Sequence, residues 1–202
     1  MTASSSGKSL LVPTGDIGPL VKLGDELQKN ASKYNIHNVF DDGGYKELLL
    51  LTLFGLKKLG RTGDDAADGN GNQYEIKTVA RMSSSGSRKS SLSVTTEHTL
   101  TLENIRRYRS VHLWIVAVFN QAQPEEIFEI TPMALEPKFK KWEERLIEQK
   151  NNWVEGGAQP HLNNPKIPLN FIKEHGVRVW PESELKLPLD VKEGLEEAEG
   201  LG

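Results

Sequence analysis

Gly63-Asp64-Asp65-Ala66-Ala67-Asp68-Gly69-Asn70-Gly71-Asn72-Gln73-Tyr74-Glu75-Ile76-Lys77 is the stretch around which the chain is organised. It reads as two strands around a turn, because Gly69-Asn70-Gly71 offers residues that accept a positive φ at low cost. With Ala67 paired near Tyr74, Asp65 lies beside the Glu75 to Lys77 end of the second strand. Residues two apart on a strand point to one face, so Glu75 and Lys77 project together and Asp65 can join them. Two carboxylates meeting from neighbouring strands suit a hard divalent cation such as Mg²⁺. A lysine beside that cation can orient an attacking water and balance developing charge.

Glu-x-Lys alone carries little weight, since ion pairs on solvated strand faces are common. The longer pattern is far more specific. An apolar helix comes first, then an aspartate, a Gly-Asn-Gly turn, a glutamate, one apolar residue and a lysine.

Composition narrows the function classes. A chain of 202 residues supports one substantial core. It has no cysteine, which excludes a disulfide framework, a Cys-containing zinc site and a thiol nucleophile. No apolar run approaches the ~18 residues of a membrane span, and Leu10-Leu11-Val12 is too short for a signal-peptide core, so a soluble cytoplasmic protein is expected. The net charge of -3 is unevenly spread. Residues 181–202 carry -5 and leave +2 on the rest, while Lys77 to Val111 carries +5. A basic belt directly after two candidate metal ligands is what a phosphodiester substrate needs, although a solvated surface explains such a belt equally well.

Read in order, residues 1–15 form a flexible N-terminal segment, 16–180 one domain and 181–202 an acidic extension. A helix is expected from Asp16 to Tyr34, with Leu20, Leu23, Leu27 and Ala31 as an apolar stripe for core packing or a dimer face. A second helix, Tyr45 to Leu56, is apolar nearly all round and should be buried, with Lys57 and Lys58 at its end and Gly60 as its stop. Thr78 to Ser93 reads as irregular, and its serine-rich, basic centre could follow a phosphate backbone. Leu92 to His98 is β-prone. Thr101 can cap a helix to about Arg109, Val111 to Phe119 is a buried strand, and Glu126 to Ile130 is its neighbour. A long helix follows Thr131-Pro132 to about Lys150. Asn163 to Pro168 reads as a turn and cap, Leu169 to His175 as a short helix and Val177 to Trp180 as a last strand. The expected fold is α/β, a mixed central β-sheet flanked by helices.

These residues also carry a resemblance. The Asp65…Glu75-Ile76-Lys77 pattern matches the PD-(D/E)xK nuclease motif, with Asp64 where that superfamily often has proline. From Leu20 to Trp180 the chain resembles the PvuII-like type II restriction endonucleases. The resemblance rests on Asp41-Asp42-Gly43-Gly44, Gly60-Arg61, Gly63, Asp65-Ala66, Tyr74-Glu75-Ile76-Lys77, Tyr108-Arg109, Lys141-Trp142-Glu143, Asn163-Asn164-Pro165-Lys166-Ile167-Pro168 and Glu174-His175-Gly176, all in the same order.

The resemblance implies a restriction-endonuclease-like core and a homodimeric, Mg²⁺-dependent enzyme that clasps double-stranded DNA. It implies a CAGCTG-related palindrome cut at its centre to blunt ends. By residue matching, Asp65, Glu75 and the Ile76 backbone carbonyl are metal ligands, Lys77 is the catalytic lysine and Tyr108 supports the active site. Asp41 or Asp42 matches a DNA-contacting aspartate. Asn163-Asn164 holds a base-reading asparagine, in keeping with the pairing of asparagine to adenine. Thr95 to Thr99 matches the base-reading strand. That strand keeps only the middle one of the relative's three histidines, His98, between Glu97 and Thr99; His98 can donate to a guanine acceptor, Glu97 could accept from a cytosine amino group and Thr99 touch a thymine methyl. Thr62 stands where the relative has a glutamate, the 78–94 loop is longer, and the acidic extension has no counterpart. A repair or structure-specific nuclease would share the same triad, and a non-catalytic DNA-binding protein should have lost one of its members.

Overall fold

The α2 helix, Gly44–Phe54, is the most buried of the helices before the hairpin, with Leu49, Leu50 and Leu53 almost fully enclosed. The computed structural model describes residues 9–32, 39–40, 44–59 and 64–181. Asp41, Asp42, residues 60–63 and the acidic extension beyond Pro181 lie outside the described residues. Helix α2 stops earlier than Gly60. Gly55, at φ 63°, turns the chain, Leu56 N–H donates to Leu51 O at 2.9 Å and Gly55 N–H to Thr52 O at 3.4 Å. This pair of bonds satisfies the last carbonyls of the helix, and only glycine enters that φ without a Cβ penalty. Lys57–Lys58, expected at the helix end, instead forms the edge strand β1.

The sheet has six strands among the described residues, in the order β1, β2, β3, β6, β7, β10. These are Lys57–Lys58, Ala66–Ala67, Gln73–Ala80, Leu113–Asn120, Gln123–Ile130 and Val177–Trp180. Strands β3 and β6 run parallel and the other neighbours antiparallel, so the sheet is mixed as expected. Strand β3 continues to Ala80, into the stretch that reads as irregular. Beyond it, residues 81–89 close a small hairpin, with Lys89 N–H donating to Arg81 O at 3.0 Å and a Met82–Arg88 bridge.

Strand β6 is buried from Leu113 to Phe119. Its alternate residues face two separate cores. Trp114, Val116 and Val118 pack with helices α3 (Leu102–Ser110), α4 (Pro132–Asn151) and α5 (Leu169–His175). Leu113, Ile115, Ala117 and Phe119 pack with α2 and with Ile17, just before helix α1 (Gly18–Ser32). Helix α1 turns Leu20, Val21 and Gly24 toward the body, and not Leu23 or Leu27. A Cβ on Gly24 would overlap the Tyr45 hydroxyl, which donates to Leu20 O at 2.6 Å. Leu23 and Leu27 are consequently exposed, at 64% and 51%. Ahead of α1, both carboxylate oxygens of Glu129 accept backbone N–H groups of Leu10 and Leu11 at 2.8 Å.

Two short ribbons complete the described chain. Strands β4 (Ser93–Thr95) and β9 (Lys166–Pro168) pair, as do β5 (Thr99–Leu100) and β8 (Leu162–Asn163). The Asn163 to Pro168 segment therefore holds strand residues on either side of Asn164, where a turn and cap was expected.

Helices α3 and α4 are joined by Arg109, which donates to Glu136 at 2.9 and 3.0 Å and to Glu143 at 2.7 and 3.1 Å. The hydrogen bonds from Arg109 hold the Glu143 carboxyl below its ordinary range. A carboxylate with a lowered folded-state pKa stabilises the fold fully above the unfolded pKa, and that contribution fades as pH falls through the folded value. Glu143→Gln should therefore leave a shallower loss of stability in the acid range, measured as urea midpoints from pH 7 to pH 3. An unchanged acid limb would show that the clasp contributes nothing there.

Candidate active site

The hairpin places the candidate residues. Ala66 pairs with Tyr74 and Ala67 with Gln73, one step from the register read from the sequence. The turn is tied by Asp68, whose carboxylate accepts from Asn70 N–H, Asn72 N–H and the Asn72 side-chain amide at 2.8–2.9 Å. Those bonds, the Asn72 side-chain bond first, keep the Asp68 carboxyl below its usual range.

Strand β2 ends after two residues, and the next position on its line is Asp65. Asp65 Oδ2 accepts the Ile76 N–H at 2.7 Å, so a side chain replaces the missing ladder bond. The N–H and C=O of one strand residue point to the same edge. The Ile76 carbonyl therefore faces the Asp65 side of β3, away from β6.

Glu75 and Lys77 project from the opposite face to Ile76, beneath α3. Glu75 is 1% exposed. Lys77 Nζ lies 2.6 Å from Glu75 Oε1 as an ion pair, and among the described residues Oε1 has no well-directed hydrogen-bond donor. The other oxygen, Oε2, accepts from Arg107 Nη1 at 2.7 Å. Burial pushes the Glu75 carboxyl up; Lys77 opposes this and Asp65 reinforces it. Asp65 is raised by the same desolvation, offset in part by Lys77, the Ile76 N–H and Arg107. The fold thus keeps two carboxylates close together where ionisation is costly, an arrangement found at working sites.

Arg107 is the participant that sequence reading assigned only to a general basic belt. Besides Glu75 it meets Asp64 at 3.3 Å and Glu97 at 2.9 Å, and its guanidinium lies 4.7 Å from the Tyr108 ring centroid. Tyr108 is fully buried and donates its hydroxyl to Glu97 at 3.1 Å. Burial first, then the charges of Glu75 and Glu97, raise its pKa far above the ordinary phenol value. Glu97, a candidate base reader, therefore has its carboxylate engaged toward the Asp65–Glu75 site. Helix α3 is positioned for these contacts by a capping box. The Thr101 hydroxyl accepts from Asn104 N–H and the Asn104 side chain accepts from Thr101 N–H.

The other candidates gather on the ribbons. His98 Nδ1 is 3.1 Å from Asn164 Oδ1, and Asn164 N–H donates to His98 O at 3.0 Å. Thr99 pairs with Asn163 and Thr95 with Lys166. The belt itself is less basic than its sequence suggests. Arg81 and Arg88 donate to Glu125, and Arg109 to Glu136 and Glu143.

The donor set fits a hard cation. Two carboxylates and a backbone carbonyl are oxygen ligands, and Glu75 Oε1 is a buried acceptor without a directed donor. Among the described residues, no group of three or more acidic or histidine side chains forms a self-sufficient metal cage, so water or substrate oxygens would have to complete the shell of a bound cation. No helix among the described residues is long and apolar enough to cross a membrane.

The sequence profile of the restriction endonuclease PvuII family matches residues 15–180, which takes in both ribbons, α3 and the whole hairpin. With the mixed sheet and the Asp65–Glu75–Lys77 hairpin in place, that match shows that the chain belongs to the PvuII family of type II restriction endonucleases.

Proposed function

We propose that this restriction endonuclease cleaves double-stranded DNA as a Mg²⁺-dependent homodimer, at a CAGCTG-related palindrome and with blunt ends. The observation that carries the reading is the meeting of Asp65, Glu75 and Lys77 at the point where β2 gives way to the Asp65 side chain. Asp65, Glu75 and the Ile76 carbonyl would hold the cation. A bound divalent ion supplies Lewis-acid stabilisation of charge on the phosphate and leaving oxygens. Lys77 stands beside Glu75 to position the attacking water and to balance the charge that develops on the phosphate. Tyr108 supports this arrangement from beneath, through Glu97 and the face of its ring.

Two copies would each read one half of a palindrome. The exposed Leu23 and Leu27 on α1 support a dimer contact, because the body of the same chain does not cover them. Asp41 and Asp42 remain candidate DNA contacts by residue matching alone. His98 and Asn164 support base reading, since they meet on an exposed edge from distant parts of the chain.

Digesting a plasmid of known sequence with Mg²⁺ and sequencing the ends tests the reading. Blunt ends within CAGCTG-related sites are expected; staggered ends, or sites without outer CAG-like halves, would defeat the specificity. Asn164 sits at φ 44°, so Asn164→Gly removes the amide without the strain an alanine would add. That variant should lose about 1–3 kcal/mol of discrimination at the adenine position, read from cleavage rates on matched and mismatched duplexes.

A further inference from the structure

Arg107 is placed where a cation is wanted. Its Nη1 lies 2.7 Å from Glu75 Oε2 and 3.3 Å from Asp64 Oδ1, and its Nη2 lies 2.9 Å from Glu97 Oε1. Asp64 and Glu75 side chains are 7% and 1% exposed, so bulk water screens neither well. Without a positive charge between them, the buried Asp64 and Glu75 carboxylates would face each other, with the more exposed Glu97 at the rim. Lys77 cannot do this alone, because its contact is with the other Glu75 oxygen.

We infer that Arg107 is an internal counter-ion, which occupies Glu75 in the metal-free protein and releases it when a divalent cation binds. This rests on Asp65 and Glu75 as the metal ligands. A divalent ion on Glu75 and a guanidinium 2.7 Å from its Oε2 repel at that range, which favours moving the guanidinium away. Arginine stays protonated at any working pH, so it must leave by rotation and not by losing a proton. The structure provides for that rotation. The Nη2 bond to Glu97 and the stacking on Tyr108 do not involve Glu75. Pivoting about these contacts turns Nη1 away from Glu75 while the side chain stays at the rim, where Nη1 can donate to a phosphate oxygen. Arg107 is on this account a positioning residue that sets the state of a metal ligand.

The test uses the full chain and Ca²⁺ as the probe, followed by titration calorimetry. Arg107→Gln should bind Ca²⁺ on the order of tenfold to a hundredfold more tightly, the equivalent of one charge-assisted hydrogen bond no longer broken on binding. Arg107→Lys keeps the charge but lacks the fork that reaches Glu75 and Glu97 together, and should also bind more tightly. Unchanged or weaker binding by Arg107→Gln, or wild-type affinity in Arg107→Lys, would overturn the inference. The wild-type protein decides the matter if the variants do not fold: its Arg107 side-chain N–H resonance should move as Ca²⁺ saturates. An unmoved resonance with Ca²⁺ bound overturns the release of Arg107 and leaves the ligand assignment standing. Undiminished Ca²⁺ binding by Asp65→Ala would overturn that assignment, and the inference with it.

Discussion

Lys77→Ala is expected to lower plasmid cleavage by about a hundredfold to ten-thousandfold, the range for losing a group that positions or transfers a proton. Asp65→Ala and Glu75→Ala should be at least as severe, because each removes a proposed oxygen ligand. None of the three should unfold the protein. Burial raises the carboxyl pKa of both Asp65 and Glu75, so their ionised forms cost the metal-free fold stability and do not supply it. Lys77 touches Glu75 and lies 5.8 Å from the Tyr108 ring centroid, and its loss removes charge more than core volume. Circular dichroism provides the folding control. Near-normal cleavage by a folded Lys77→Ala protein would end the proposed role.

Trp114→Ala should cost about 3–5 kcal/mol of stability, the usual price of truncating a fully buried large aromatic. Trp114 is completely enclosed. Its ring lies 4.6 Å from that of Tyr108 and 6.0 Å from that of Phe139, and its indole N–H donates to Tyr108 O at 3.3 Å. The same residue thus supports the core and the floor of the candidate active site. Loss of the indole removes the edge-on support of Tyr108, which in turn holds Glu97. Urea unfolding followed by circular dichroism measures the stability change. Cleavage below the transition should fall as well, because the Tyr108 ring loses its fixed position. A loss below about 1 kcal/mol would mean that Phe139 and its neighbours close the cavity, against the expected cavity cost.

Much of the fold was legible because its signals are local. The continuous apolar run of β6, the Thr131-Pro132 start of α4 and the Gly-Asn-Gly turn each depend on residues within a few positions of one another. The pairing of Asp65 with the Glu75–Lys77 end followed from the turn length and the two-residue period of strands. Element ends were less accessible. Glycine at position 55 and glycine at position 60 offer the same composition signal, and the hydrogen bonds to Leu51 and Thr52 decide between them.

Sequence by itself determined the mixed α/β class, the hairpin and the placing of Asp65 beside the Glu75–Lys77 end of β3. Tertiary structure alone decided which charges are free to act. Arg81, Arg88 and Arg109 look in sequence like a belt for phosphate, yet carboxylates from β7 and α4 already engage them. Arg107, one more basic residue in the same run, is singled out only because α3 lays it over β3 and against Glu75. The stripe on α1 likewise has one sequence signature for core and for interface, and the close approach of Gly24 to Tyr45 is what turns Leu23 and Leu27 outward. The physical reason is common to these cases. A side chain's charge and polarity are properties of the residue, but its partners come from distant segments, and Coulomb and desolvation energies depend on those distances.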